Sequence, residues 1–102
     1  MPVPYDQLDY FPLRTFAFEA LAVAGTAVGF TAATALGAKL ATVNVEGAQV
    51  RYRTDGTDPT ATVGVVANPG DVINVYGNAD VTAIRFIRTG GVSATLSVEY
   101  SR

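Results

Sequence analysis

Residues 49–60 read Gln49-Val50-Arg51-Tyr52-Arg53-Thr54-Asp55-Gly56-Thr57-Asp58-Pro59-Thr60. Up to Thr54 the side chains alternate, with Val50 and Tyr52 on one side and Gln49, Arg51 and Arg53 on the other. A period of two is what a half-buried antiparallel strand requires, because successive side chains point to opposite faces of the pleat. The alternation then stops at Asp55-Gly56-Thr57-Asp58-Pro59. Aspartate side chains bond their own backbone, glycine accepts positive φ and proline presets its own φ, so this composition turns the chain. A strand that breaks into a turn and hands over to another apolar segment is the unit of a β-meander, not a catalytic motif.

The same grammar extends in both directions. Downstream, turns are expected at Asn68-Pro69-Gly70-Asp71, at Gly77-Asn78-Ala79-Asp80 and at Thr89-Gly90-Gly91, separating strands over 62–66, 72–76, 82–88 and 93–100. The first of these turns fits type II, with proline and glycine at its two central positions. In the last strand Ala94, Leu96, Val98 and Tyr100 face inward, and Ser93, Thr95, Ser97 and Glu99 face solvent or a partner. Upstream, residues 40–46 place Ala41, Val43 and Val45 on one face, residues 27–32 alternate through Val28 and Phe30, and a small-residue loop is expected around Ala35-Leu36-Gly37. Residues 14–23 read as strand rather than helix, because Thr15, Val23, Gly25 and Thr26 flank the helix formers Glu19 to Ala22 and no cap is evident. Phe16 and Phe18 then share a face, and the opposite phase of Leu21 and Val23 implies a bulge near Glu19-Ala20.

About eight short strands with turns at this spacing predict an all-β fold, an antiparallel β-sandwich of jelly-roll or immunoglobulin-like type. The Cys and Trp landmarks of a true immunoglobulin domain are missing. With 102 residues the chain has room for one core. The sandwich is assigned to 14–102 and an extended N-terminal arm to 1–13, where Pro2, Pro4 and Pro12 oppose helix. Tyr5, Tyr10 and Phe11 give that arm large rings, either to fold back over its own domain or to anchor it on a neighbouring subunit.

Composition removes several classes of activity. The chain has no histidine and no cysteine, which excludes Ser-His-Asp and Cys-His mechanisms, disulfide scaffolds and the usual zinc sites. No cofactor is expected. Net charge is −2, and Lys39 is the single lysine among seven basic residues, so no basic stripe exists to bind nucleic acid. The nearly uncharged stretch 16–36 has the length of a membrane span, but it is made of Ala, Gly and Thr and no membrane insertion is expected. The acidic Asp6 and Asp9 do not suit a signal peptide. Charged residues make up 16% of the chain against roughly 25% in an ordinary soluble domain, which points in part to surface hidden against partners and in part to abundant alanine, which tolerates exposure cheaply.

Four constellations bear on function. Asp55 and Asp58 about Gly56 have the carboxylates of a calcium loop, but not its spacing, and serve equally as turn residues. Arg51, Arg53, Arg85 and Arg88 offer a polar interface face that could take an anion or sugar; alternatively they are the solvated row of a strand, or pair with Glu46, Asp80 or Glu99 across strands or between subunits. Tyr52, Tyr76 and Tyr100 could stack on carbohydrate, although their alternating strands favour packing. Asp71, Asp80 and Glu99 could supply paired carboxylates for glycoside hydrolysis, for which so short a chain offers little cleft.

Residues 48–60, Pro69-Gly70-Asp71, and Ile84-Arg85-Phe86-Ile87 before Gly90 resemble a recurrent type of small β-structured virion protein of tailed bacteriophages. The likeness covers about the C-terminal half and, more weakly, residues 23–34. It implies a capsid decoration or cement subunit with no enzymatic role and no active-site residues to carry over. The partners it implies are the major capsid protein, other virion subunits and further copies in a homo-oligomer, at the capsid surface of the virion. Tail or neck components, and a carbohydrate- or receptor-binding module, are the alternatives.

Overall fold

In the computed structural model, which describes residues 13–102, the chain runs through seven strands and two short helices. The strands are β1 Thr15–Val23, β2 Leu40–Glu46, β3 Val50–Arg53, β4 Val65–Ala67, β5 Val72–Tyr76, β6 Arg85–Arg88 and β7 Ala94–Ser101. Helix α1 is Ala32–Leu36 and helix α2 is Asn78–Ala83. All strand pairs are antiparallel, in a four-stranded sheet of order β1-β7-β2-β5 and a three-stranded sheet of order β4-β3-β6.

The core follows directly from the alternation. Ala41, Val43 and Val45 of β2 and Ala94, Leu96, Val98 and Tyr100 of β7 are buried, and they meet Val50 of β3, Ala67 of β4 and Phe86 of β6 in one hydrophobic cluster. Aromatic rings tie the two sheets together: Phe30 stands edge-on to Tyr100 at 5.4 Å and tilts against Phe86 at 5.5 Å, and Tyr52 lies 5.9 Å from Phe86. Offset and edge-on geometries of this kind exceed simple area burial by about 0.5–1.5 kcal/mol a pair. At Asn68 to Asp71 the Asp71 amide donates to the Asn68 carbonyl at 2.9 Å and Gly70 has φ +93°, as a type II turn demands.

Several expectations are corrected. Seven strands form among the described residues, where about eight were expected. Residues 27–32 contribute only an isolated bridge, Val28 with Phe86, before the chain leaves the sheet. The Arg85 guanidinium packs over Gly29, where a Cβ would lie 2.6 Å from Nη1, and this close approach accompanies the departure. The loop predicted around Ala35-Leu36-Gly37 is largely α1, which ends at Gly37. The turn predicted at Gly77 to Asp80 is the start of α2, so the strand expected over 82–88 begins only at Arg85. In both cases tertiary contacts tip short, weakly patterned segments. Asn78 Nδ2 donates to the carbonyls of Ala35, Leu36 and Ala38 at 2.9, 3.0 and 2.8 Å, locking the end of α1 against the start of α2.

The strand expected over 62–66 starts at Val65, because Thr60 and Val63 close a turn with amide-to-carbonyl bonds of 2.9 and 3.3 Å. A bulge does occur in β1, but at its start. Thr15 pairs with Ser101 and Ala17 with Tyr100, so Phe16 is the extra residue, and from Ala17 to Val23 the register is unbroken. The bulge turns Phe16 toward Tyr100, at 6.4 Å, and leaves Phe18 on the opposite, exposed face. The proposed arm, with Tyr5, Tyr10 and Phe11, lies outside the described residues.

Candidate interaction surfaces

The pleat divides the outward side chains of the two sheets into chemically different surfaces. In the three-stranded sheet Arg51 lies opposite Ile87 and Arg53 opposite Arg85, so these three arginines share the outer face. Arg88 lies opposite the buried Val50, in the other phase. The four predicted residues are therefore neighbours on one strand pair, but only three line one face.

Each guanidinium is held by its own chain. Arg51 Nε donates to the Ala61 carbonyl at 3.1 Å and Nη1 to the Gly64 carbonyl at 2.8 Å, which fastens the 55–64 loop to β3. Arg85 Nη1 donates to the carbonyls of Thr82 and Ile84 at 3.1 and 2.8 Å, and Arg88 Nη1 donates to Ser93 Oγ at 3.1 Å. Arg53 grips Asp55 in a bidentate pair, with Nε to Oδ1 at 3.1 Å. It is the one ion pair among the described residues, and it replaces the pairings considered with Glu46, Asp80 and Glu99. The Arg53 hydrogen bond holds the Asp55 carboxyl below its ordinary range and raises the guanidinium in turn. The Thr57 amide also donates to Asp55 Oδ1, at 3.2 Å, so this carboxylate joins the end of β3 to the turn. Neutral acceptors satisfy Arg51, Arg85 and Arg88, whose positive charges thus remain uncancelled by any carboxylate among the described residues.

The outer face of the four-stranded sheet is built from rows that cross the strands. Phe18, Glu99, Thr42 and Asn74 form one row, and Ala20, Ser97, Asn44 and Val72 the next. Phe18, Thr42, Asn44, Val72, Ser97 and Glu99 line an open groove of about 280 Å³. Phe18 and Val72 are exposed, 63% and 58%, and stand at opposite edges of the sheet. Thr42 Oγ1 bonds Asn74 at 3.3 Å and Ser97 Oγ donates to Glu46 at 2.8 Å, which keeps the floor of the groove ordered. Of the three tyrosines considered for stacking, Tyr100 is buried, Tyr52 is half-buried against Phe86, and Tyr76 is 55% exposed. The alternation marked these faces, but only the position of the bulge decided that Phe18 is outward.

Glu19 was not singled out from sequence, although it is the sole charge within 16–36 and shares the phase of Leu21 and Val23. Its carboxylate accepts from the Thr31 amide at 3.2 Å, from Thr31 Oγ1 at 2.6 Å and from Tyr100 Oη at 2.5 Å. Burial acts to raise its pKa, yet the bonds from Thr31 and Tyr100 outweigh burial and hold it below the ordinary value. Burial, followed by the bond to Glu19, pushes the Tyr100 phenol well above its usual range. Asp71 is likewise engaged locally, accepting from the Asn68 amide at 2.7 Å. No group of three or more metal-ligating side chains occurs among the described residues, and no helix among them is long and apolar enough to cross a membrane. Comparison with protein-family models, with curated proteins and with solved structures returns no match.

Proposed function

We propose that the chain is a non-enzymatic decoration or cement protein of a tailed bacteriophage, a β-sandwich that binds the assembled capsid shell and stabilises it. The observation that supports this reading is the exposure of large apolar side chains on both sheets of a sparsely charged body. Phe18, Val72 and Tyr76 stand on the four-stranded sheet, and Val65 and Val66 on the three-stranded one, with Val63 in the loop before it. Exposed apolar groups on a rigid frame suit burial against other proteins. The major capsid protein and neighbouring copies are the partners in this reading, with the residue 1–13 segment as a staple and the arginine face as a polar contact. Neither nucleic acid nor membrane is a partner. A protein that binds only the assembled shell stabilises it through linkage, in proportion to RT ln(1 + [L]/Kd).

The test adds purified protein to particles that lack it and locates the bound copies by labelling. Label spread over the shell, together with a higher temperature of particle disruption, is the expected outcome. Label confined to the tail or neck overturns it. A receptor- or carbohydrate-binding role keeps one specific observation in its favour, the exposed ring of Tyr76 on the same sheet as the Phe18 groove. Binding of the protein to host cell-surface glycans, lost in Tyr76→Ala, is the result that favours it.

A further inference from the structure

The free edge of β1 is the longest and least guarded sheet edge among the described residues. Among the described residues, the nine-residue β1 pairs on one side only, with β7. The other edge strands are shorter: β4 has three residues, β5 five, and β6 four, with Val28 bridged to it. An open edge is a template for another strand, and proteins normally block it with lysine, proline, bulges or inward charges. Thr15–Val23 contains no lysine, arginine or proline. Its bulge is confined to Phe16, and its one charge, Glu19, already accepts three hydrogen bonds from Thr31 and Tyr100, so a strand laid alongside leaves no carboxylate stranded.

The outward side chains of this strand are also complementary to themselves. Phe18 projects as an exposed ring, followed by the exposed methyl groups of Ala20 and Ala22. We propose that β1 pairs antiparallel with β1 of a second copy of this chain, about a twofold axis at Ala20, joining the two four-stranded sheets into one. In this register Ala20 meets its own counterpart and each Phe18 lies across Ala22 of the other copy. Centring on Glu19 instead sets two carboxylates directly opposite each other, which is destabilising. Centring on Leu21 carries Phe18 past the end of the strand. The paired edge holds no other charge, so two copies of net charge −2 meet along it without further repulsion. A twofold, isologous contact is the commonest route to a closed homo-oligomer. The dimer supplies the self-contact in the homo-oligomeric reading above and rests on that reading only for its purpose. Absence of a dimer leaves shell binding by single subunits intact, and absence of shell binding leaves the dimer intact.

Because the chain has no cysteine, single thiols can report the register. Ala20→Cys places the two thiols of a dimer opposite each other, whereas Ala22→Cys places them about 13 Å apart along the strands. A thiol-to-thiol linker shorter than that distance is expected to join Ala20→Cys chains in pairs and to leave Ala22→Cys chains unjoined. Equal joining of both, or of neither, overturns the register. Sedimentation of the unmodified chain should show a dimer, lost in Ala20→Lys/Ala22→Lys, whose two exposed substitutions leave the circular dichroism unchanged. A monomer at every concentration, or a dimer that survives the lysines, overturns the proposal.

Discussion

The two sheets reach order by different means. The four-stranded sheet has long strands, with β1 and β7 in register from Ala17 to Val23 and β7 and β2 from Leu40 to Glu46, and its inner side chains are almost wholly aliphatic. The three-stranded sheet has strands of three or four residues, and side chains do what strand length does not: Arg51 ties the 55–64 loop to β3 and Arg85 ties α2 to β6. Long alternating strands satisfy their backbone groups by pairing with each other, whereas short ones need donors from side chains to complete the accounting. The larger sheet is therefore expected to be the more persistent unit, and the smaller one the more sensitive to single polar substitutions.

The strongest way to break that contrast lies beneath the small sheet. Phe86 is fully buried and touches both Phe30 and Tyr52. Phe86→Ala is expected to cost about 3–5 kcal/mol, with hydrogen exchange accelerating first in β3, β4 and β6. Leu96→Ala, under the large sheet, should cost about 2–5 kcal/mol and raise exchange everywhere together. If Phe86→Ala also releases both sheets at once, they form a single cooperative unit and the contrast is wrong.

An intermediate effect is expected from the Glu19–Tyr100 bond, which joins β1 to β7 within the large sheet, while Thr31 ties the same carboxylate to the segment leading into α1. The folded-state pKa of Glu19 is depressed, so its contribution is present above the unfolded carboxylate pKa of about 4.3 and disappears as pH falls through the lower folded value. The folded-state pKa of Tyr100 is raised, so its contribution is present below the unfolded phenol pKa of about 10 and is lost as pH rises beyond it. Tyr100→Phe removes the donor and the alkaline titration together. It should lower stability at neutral pH by about 1–3 kcal/mol and flatten the loss above about pH 10 in denaturant titrations. An unchanged alkaline limb would place the sensitivity in another group.

The smallest effects separate two arginines on one face. Arg51→Met leaves the Ala61 and Gly64 carbonyls without their donor and should cost about 1 kcal/mol, with faster proteolytic cleavage in the 55–64 loop. Arg53→Gln breaks an exposed ion pair at the turn and should leave the unfolding midpoint unchanged within error. Equal sensitivity to protease in both variants would show that the loop is held by its own turns, with the Arg51 bonds incidental.

Much of this division was legible in the chain. The alternation over 40–46, 49–54 and 93–100 assigned inward and outward residues that the structure retains, and Asn68-Pro69-Gly70-Asp71 forms the turn its composition demands. Less was legible where the pattern is weak. Residues 32–36 and 78–83 are built of Ala, Thr, Asn and Asp, which support a turn, a loop or one helical turn nearly equally. The Asn78 amide resolves the ambiguity by binding carbonyls 40 to 43 residues earlier in the chain, a contact no local pattern encodes. The surfaces were half legible. The arginines were identifiable as polar strand residues, but Arg51 and Arg85 bond backbone carbonyls, which every residue carries and which sequence therefore does not mark.

By itself, the sequence determined an all-β chain, most of its strands, the inward residues of β2, β3 and β7, and the absence of the side chains that histidine and cysteine chemistry need. Those properties depend on neighbours one or two residues away and on composition, where side-chain periodicity and chemistry act directly. Only the tertiary structure decided the strand order, the two helices, the outward face of Phe18, the occupied carboxylate of Glu19 and the open edge of β1. Each of these depends on which distant segment supplies a hydrogen bond or a packing surface, and that choice is made by the folded chain as a whole.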